Sequence, residues 1–219
     1  MSNSEYLKRL NAPRSWLIDR KIRTFITKPN PGAHPLDRAL PLGFVLQHLG
    51  LAKTNREVKK ILLAKHILVD GKRVKDHRLP VGLFDTVEIP DTKQHFRVGL
   101  DTKGRLTLSP ADKDLKHKPC RIIGKTMRQK GKLQVNLVDS RNINADKATY
   151  KVGDTLVLEL PGQKVAKHLE LKPGAKILIT AGRYVGKTAH VSNLEGNTVK
   201  FTIDNIASET EKENTYVIP

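Results

Sequence analysis

The chain contains one cysteine, few aromatic residues and no long apolar run. The single cysteine, Cys120, excludes an intramolecular disulfide and any zinc site built from several cysteines, which fits a reducing cytosol. Aromatic residues make up 5% of the sequence, which predicts several small cores instead of one large core. No apolar run reaches the roughly 20 residues of a membrane-spanning helix, and the first residues lack the apolar stretch of a signal peptide. We therefore expect a modular cytoplasmic protein.

Positive charge is what the sequence has in excess. Lys and Arg number 40 against 22 Asp and Glu, which gives a formal net charge of +18 over 219 residues. Such a charge attracts phosphate backbones, and the counterions released on binding make the affinity depend on salt. The basic residues recur in every segment instead of lining one amphipathic helix. A nucleic acid is therefore a better partner than an anionic membrane surface.

Residues 1–40 are basic and punctuated by proline, which predicts an arm without a core of its own. Trp16 lies within this basic run, and aromatic rings stack on bases while Arg side chains pair with phosphates. We therefore favour an arm that docks on RNA over a solvated tail. The candidate RNA-binding residues of the arm are Lys8, Arg9, Arg14, Trp16, Arg20, Lys21 and Arg23.

Residues 41–92 predict a helical pair followed by a hairpin. Pro41 suits the first position of a helix, and apolar residues recur after it at helical spacing. Thr54 and Glu57 have the spacing of a capping box at the start of the second helix. Asp70–Gly71 is a tight-turn signal between two short strands. The segment is thus expected to be a small α+β domain.

The rest of the chain predicts two β domains, so the expected class is α+β and mostly β. Alternating apolar residues in 93–170 predict a central barrel-like domain, with turns at Asp101–Gly104 and around Lys130–Gly131. Residues 171–219 predict a C-terminal β unit. Its acidic stretch, Glu209–Glu213, is expected to be a solvated loop.

The segment Ala181–Thr188 satisfies a loosened phosphate-binding loop, which raises the hypothesis of a nucleotide-hydrolysing enzyme. Such a loop requires a helix after it, because the helix N-terminus and backbone N–H groups hold the phosphates. Here the following residues include Asn193 and Gly196 and run into another predicted strand, and the loop begins with alanine where glycine is required. Nucleotide hydrolysis is therefore disfavoured, and binding of ATP or GTP that depends on Lys187 would revive it.

The same loop resembles the KOW motif of ribosomal and transcription proteins, over Pro173–Val191. One departure is Ala189, where the motif usually has glycine. The resemblance implies an SH3-like β unit whose loop contacts phosphates and stacks on bases, whereas a basic surface turn without a ligand is the alternative. The loop residues implied are Gly182, Arg183, Tyr184, Gly186 and Lys187.

The helical pair and hairpin resemble the alpha-L motif, an RNA-binding domain of ribosomal proteins and some RNA-modifying enzymes. The resemblance rests on Asn55–Leu62 and Ile67–Val74. In that family the second helix and the hairpin present basic residues to RNA. The positions implied here are Arg56, Lys59, Lys60, Lys65, Lys72 and Arg73.

Both modules in this order, with Leu7–Pro13 at the start and Asp101–Arg105 in the middle, make the chain similar to the small-subunit ribosomal protein S4e family. The resemblance implies a structural constituent of the ribosome, one copy per small subunit, bound to small-subunit ribosomal RNA and neighbouring ribosomal proteins. It implies no catalytic residue, metal, cofactor, small-molecule substrate or membrane partner. In the middle region we add Lys103 and Arg105 as candidate RNA contacts.

Two other classes share some of these features. A free translation or transcription factor could carry the same glycine loop. An RNA-modifying enzyme could carry the same helical pair, but it would need a catalytic domain, and residues 93–219 predict only small β units. His117 and Cys120 cannot complete a zinc shell without a second pair of ligands.

Overall fold

A computed structural model describes residues 6–111, 116–128, 132–145, 149–203 and 206–218. The fold is mostly β with two α-helices, as the sequence predicts. The chain divides into two compact units. The first unit comprises Met1–Gly99 and Arg105–Leu115, and the second comprises Leu100–Gly104 and Lys116–Pro219.

The first unit contains both helices and three small sheets. Its elements are β1 Tyr6–Lys8, β2 Phe25–Thr27, β3 Ala39–Pro41, α1 Leu42–His48, α2 Asn55–Ala64, β4 Leu68–Val69, β5 Lys72–Arg73, β6 Pro80–Gly82, β7 Thr86–Ile89, β8 Gln94–Leu100 and β9 Leu106–Pro110. Strand β1 pairs with β2, β3 pairs with β6, and the third sheet has the order β5-β4-β7-β8-β9. This sheet continues across residues 92 and 93, where the sequence placed the border of the central domain.

The start of α1 differs by one residue from the sequence prediction. Pro41 is the N-cap with extended backbone, and Leu42 is the first helical residue. The reason is that Pro41 still belongs to β3, where it lies opposite Pro80. The N–H of Leu42 donates to the carbonyl of Leu79 at 2.9 Å, so a neighbouring segment satisfies one of the free donors of this helix end.

The capping residues predicted for α2 are confirmed. The Thr54 hydroxyl accepts a hydrogen bond from the N–H of Glu57 at 3.3 Å. The Glu57 carboxylate accepts from the N–H of Lys53 at 2.8 Å. In a capping box it would accept from the N–H of the N-cap residue, Thr54, which is one position later. The bond from the Lys53 N–H, and next a hydrogen bond from the Thr54 side chain to the carboxylate, lower the pKa of Glu57. Val58 and Leu62, both 0% exposed, anchor the opposite face of the helix in the core.

The hairpin turn between β4 and β5 is also confirmed. Asp70 and Gly71 have φ values of 52° and 72°, and two successive positive values are what a type I′ turn requires. Asp70 is held in this conformation because its carboxylate accepts from the N–H of Thr86 at 3.0 Å. The turn projects Lys72 and Arg73 into solvent.

The N-terminal arm is packed, and the burial of Trp16 uses a strand outside residues 1–40. Trp16 is 2% exposed, and Ala12 and Ile26 are also buried. Trp16 forms a parallel bridge with Leu106 of β9, and the N–H of Leu106 donates to the carbonyl of Ser15 at 2.8 Å. The expectation that Trp16 stacks on RNA bases is therefore wrong for this structure, because its ring fills the core of the first unit.

The second unit contains two five-stranded sheets. Its strands are β10 His117–Met127, β11 Leu133–Leu137, β12 Asn142–Ala145, β13 Thr155–Glu159, β14 Lys164–Leu169, β15 Lys176–Ile179, β16 Thr188–Glu195, β17 Thr198–Ile203, β18 Ile206–Glu211 and β19 Thr215–Val217. The sheet orders are β12-β11-β10-β13-β14 and β18-β17-β16-β15-β19, and each recorded pairing is antiparallel. The predicted turn at Lys130–Gly131 lies outside the described residues.

The strand predicted at Ile122 and Ile123 contains a β-bulge, and the two side chains differ in burial. The register between β10 and β11 shifts between Ile122 and Gly124, which leaves Ile123 as the extra residue. Ile122 is accordingly 0% exposed in the core of the central sheet, whereas Ile123 is 50% exposed.

The acidic C-terminal stretch is a strand up to Glu211 and a short 3-10 helix after it, which corrects the prediction of a loop. Strand β18 runs along β17 at the edge of the sheet, with Glu209 opposite Lys200 and Glu211 opposite Thr198. The Lys200 ammonium forms its ion pair with Glu195, at 2.6 Å, and charged side chains are common on edge strands. The sequence did not predict this strand because polar residues occupy most of its positions, so no alternation of apolar and polar residues is visible.

Candidate RNA-binding surfaces

Helix α2 and the β4–β5 hairpin present their cations together. Because Val58 and Leu62 face the core, Arg56, Lys59 and Lys60 point to solvent and are exposed. The hairpin lies against the end of the helix, where the Arg73 guanidinium donates to the carbonyl of Leu63 at 3.5 Å. We call this set the helix–hairpin surface, and its members are Arg56, Lys59, Lys60, Lys65, Lys72 and Arg73.

One cation of the helix–hairpin surface has an acidic neighbour. The Lys65 ammonium lies 3.6 Å from the carboxylate of Asp91, and both side chains are nearly half exposed. An exposed pair of this kind contributes little free energy, so a phosphate can compete for Lys65.

Two arginines of the arm are used within the arm itself. The Arg20 guanidinium donates to the carbonyls of Ala12 at 2.7 Å, Pro13 at 3.0 Å and Leu10 at 3.2 Å. The Arg9 guanidinium donates to the carbonyl of Asp19 at 3.0 Å. These bonds hold the arm in its folded path, so the phosphate contact expected of Arg20 is not the use that this structure gives it.

Backbone donors in the second half of the glycine loop between β15 and β16 have partners in the loop or in β15. The N–H of Gly186 donates to the carbonyl of Ile179 at 2.8 Å, and the N–H of Lys187 donates to the carbonyl of Tyr184 at 3.1 Å. A phosphate-binding loop leaves such donors free for phosphate oxygens. The residues after Lys187 form strand β16 instead of a helix, as the sequence analysis expected. This geometry argues against nucleotide binding at the loop.

Tyr184 packs against Phe201, and two cationic side chains lie near its ring. Its ring meets Phe201 edge-on, with the ring centroids 5.8 Å apart. The guanidinium of Arg183 and the ammonium of Lys187 lie 5.8 Å and 5.9 Å from the centroid of the Tyr184 ring. Such cation–π contacts hold long side chains in place at a small cost in entropy. The ring therefore positions positive charge, while its own face is only partly open to a base.

The structure brings the glycine loop together with the Asp101–Gly104 turn. Gly186 lies so close to this turn that a methyl group on its Cα would stand 2.4 Å from the carbonyl oxygen of Asp101. In the turn, Gly104 has Val185 of the glycine loop as its nearest neighbour. Lys103 thus belongs to the same surface as Arg183 and Lys187, which we call the loop–turn surface. The sequence placed these cations in separate domains.

Three family models match the sequence in succession. They are the RS4NT domain at residues 1–37, the S4 domain at 41–87 and the Ribosomal family S4e at 92–165. The small ribosomal subunit protein eS4 of Methanocaldococcus jannaschii is 38% identical, over 97% of this chain and 93% of that protein. The chain belongs to the ribosomal S4e family. The eS4 protein of Methanosphaera stadtmanae is 41% identical, over 89% of this chain and 81% of its own length.

The S4e family also provides a structural counterpart. The crystal structure of the 30S ribosomal protein S4e from Thermoplasma acidophilum superposes with a TM-score of 0.71 at 29% sequence identity. The match covers 83% of this chain and 94% of that chain. The mostly β fold described above is thus the fold of the S4e family.

Most of the candidate residues of this S4e-family protein are exposed to solvent. The partly buried candidates are Arg9, Arg20, Arg105, Tyr184 and Gly186, and Trp16 is fully buried. The exposed candidates are Lys8, Arg14, Lys21, Arg23, Arg56, Lys59, Lys60, Lys65, Lys72, Arg73, Lys103, Gly182, Arg183 and Lys187.

A second group of charges in this S4e-family protein is buried. The carboxylate of Asp139 lies 3.2 Å from the Lys118 ammonium and 2.8 Å from the Arg141 guanidinium. It also accepts from the Cys120 thiol at 3.3 Å. Burial, and next the Asp139 charge, raise the pKa of Cys120 well above its usual range. This cluster is structural, because Lys118 and Asp139 are each only 2% exposed and cannot reach a phosphate.

In the part of the chain that the structure describes, no helix is long and apolar enough to cross a membrane. The described ranges also hold no group of three or more His, Cys, Asp or Glu side chains that could bind a metal ion.

Proposed function

We propose that this S4e-family protein is a structural constituent of the small ribosomal subunit that binds and stabilises folded ribosomal RNA. The observation that carries the proposal is the 38% identity to the eS4 protein of Methanocaldococcus jannaschii over 97% of this chain. The net charge of +18 supports it, because a polyanion is the partner that such a charge attracts.

The helix–hairpin surface is the proposed contact of the S4 domain with RNA. Its cations stand on a capped helix and a type I′ turn, two elements that fix the separation between charges. Fixed separations favour an RNA of matching shape, because phosphate contacts position a protein without reading base sequence.

The loop–turn surface is the proposed second contact, and we assign the C-terminal sheet to the KOW type with an SH3-like fold. Support comes from the antiparallel order β18-β17-β16-β15-β19 and from Arg183 and Lys187, which flank Tyr184. Because both surfaces belong to one chain, binding of one raises the effective concentration of the other.

The proposed role is non-enzymatic, with one copy per cytoplasmic small subunit and contacts to neighbouring ribosomal proteins. The division into an arm, an alpha-L domain, a central β domain and a KOW domain, at 1–40, 41–92, 93–170 and 171–219, remains part of this proposal. The exposed cations of the arm, Lys8, Arg14, Lys21 and Arg23, complete the proposed RNA contacts.

Sedimentation of cell extract tests the proposal. The protein should stay with small subunits through a moderate salt wash, and chemical footprinting should show discrete helices of the small-subunit RNA protected by it. A protein that sediments free of ribosomal particles would instead be a separate RNA-binding translation or transcription factor.

Charge variants test the helix–hairpin surface. Changing Lys72→Gln and Arg73→Gln together should lower the affinity for small-subunit RNA and reduce the salt slope by about 2, or about 1 per phosphate contact. Changing Lys164→Gln and Lys167→Gln together, at exposed positions on β14, removes the same number of charges and should leave both quantities nearly unchanged. Equal effects of the two changes would leave only nonspecific charge attraction.

A further inference from the structure

The ribbon of β1 and β2 exposes two aromatic rings that the sequence analysis did not select. In its register, Tyr6 lies opposite Thr27, Leu7 opposite Ile26, and Lys8 opposite Phe25. Because successive side chains of a strand point to opposite sides, Tyr6, Lys8 and Phe25 share one face. We call this set the ribbon face.

The two rings of the ribbon face are exposed, although Thr27, which lies opposite Tyr6 on the same face, is buried. Ile26 is 8% exposed and packs inward, whereas Tyr6 and Phe25 are each 55% exposed. Tyr6 and Phe25 occupy diagonal positions of the antiparallel pair, where residues stand roughly 7–8 Å apart and large rings lie within reach of one ligand. Two neighbouring exposed rings offer flat apolar faces on which a base can stack.

The surroundings of the ribbon face carry positive charge. Between residues 6 and 28 the sequence has seven Lys or Arg residues and one Asp. Lys8 lies on the face itself, and Lys21 and Arg23 are exposed in the turn that leads into β2. The ribbon continues toward this turn, because the N–H of Arg9 donates to the carbonyl of Thr24 at 2.9 Å.

Helix α2 adjoins the Thr27 end of the ribbon. The Asn55 side chain donates to the Thr27 hydroxyl at 3.0 Å, which covers Thr27 and places the first turn of α2 at this end. Arg56, the next residue, is exposed. The ribbon face thus lies beside the start of the helix–hairpin surface.

We propose that Tyr6 and Phe25 form a stacking platform for unpaired bases of the RNA whose phosphates the neighbouring cations hold. The inference rests on the proposed function, and it names unpaired bases as the part of the RNA that this face binds. Exposed rings surrounded by Lys and Arg match a strand that presents bases and phosphates together. A fully paired helix does not match, because its bases are already stacked.

Matched probes test the platform on the full-length protein. The probes are a single-stranded oligoribonucleotide, an abasic strand with the same number of phosphates, and a duplex. The wild-type protein should prefer the base-bearing strand. Tyr6→Leu with Phe25→Leu should weaken that binding by about tenfold. The same variant should leave the abasic strand, the duplex and the salt slope unchanged, because no charge is removed.

The control variant is Met127→Ala, at a 70% exposed apolar position on β10, and it should leave binding to all three probes unchanged. Fluorescence of Trp16, buried in the same unit as the ribbon, verifies that the first unit stays folded. Equal binding of the base-bearing strand by the wild type and the double variant would overturn the platform while the proposed function stands.

Two other outcomes separate the platform from the function. If the double variant binds RNA normally but no longer sediments with small subunits, the face contacts a ribosomal protein and the platform is refuted. If the wild-type protein has no affinity for small-subunit RNA, the proposed function fails first.

Discussion

Replacing Gly186 by alanine tests the contact that joins the glycine loop to the Asp101–Gly104 turn. An added Cβ would lie 2.4 Å from the carbonyl oxygen of Asp101, 2.6 Å from its carbon and 2.9 Å from the N–H nitrogen of Thr102. All three neighbours are backbone atoms, which cannot rotate away as the end of a side chain can. The chain must therefore separate the loop from the turn or accept a clash.

Two effects add in this variant. Gly186 has a φ of 75°, and a residue with a side chain pays about 1–2 kcal/mol in the left-handed region. Overpacking of a tight contact destabilises by a further 1–3 kcal/mol, roughly. We expect Gly186→Ala to lower the free energy of unfolding of the second unit by about 2–5 kcal/mol. Gly174→Ala separates the two effects, because Gly174 has a φ of 84° but open space around its Cα.

Hydrogen exchange in urea is the suitable assay. Trp16 lies in the first unit, so its fluorescence does not report on the second. Exchange of the backbone amides in β15 and β16 reports on the second unit. Gly174→Ala should show only the backbone cost, and Gly186→Ala should show at least 1 kcal/mol more, roughly. Equal destabilisation by the two variants would refute the tight contact and the joint loop–turn surface.

Three further predictions concern stability and reactivity. Thr54→Ala should destabilise the first unit by about 1 kcal/mol through loss of the N-cap, measured by urea unfolding with Trp16 fluorescence, and no change would refute the cap. Asp139→Ala should cost the second unit about 3–5 kcal/mol, measured by circular dichroism in urea, because Lys118 would be left buried without this carboxylate. Cys120 should react with a thiol reagent far more slowly in the folded protein than in urea. Because folding raises its pKa, the thiol's contribution to stability is complete below its unfolded pKa of about 8.5 and is lost as the pH rises above it.

Local signals in the sequence predicted local structure well. Thr54 and Glu57 marked the start of α2, and Asp70–Gly71 marked the hairpin turn, because each signal depends on hydrogen bonds or φ values within a few residues. The strand after Lys187 was likewise predictable from the short distance to the next apolar run.

Contacts between distant segments were not predictable in the same way. The burial of Trp16 depends on strand β9, which lies ninety residues along the chain, and a basic sequence context gives no sign of it. The contact of Gly186 with Asp101 also joins segments that the sequence assigned to different domains. The exposure of Phe25 follows from the register of β1 and β2, a pairing that neither short strand indicates alone.

A comparison of binding affinities for two RNAs tests the central claim most directly. The full-length protein is titrated with small-subunit ribosomal RNA and, separately, with random-sequence RNA of equal length, at an ionic strength of about 0.15 M. Cations held at fixed separations on folded elements should favour the ribosomal RNA by a factor on the order of 10³. Equal affinities for the two RNAs at every salt concentration would contradict the claim, since charge alone would then account for binding.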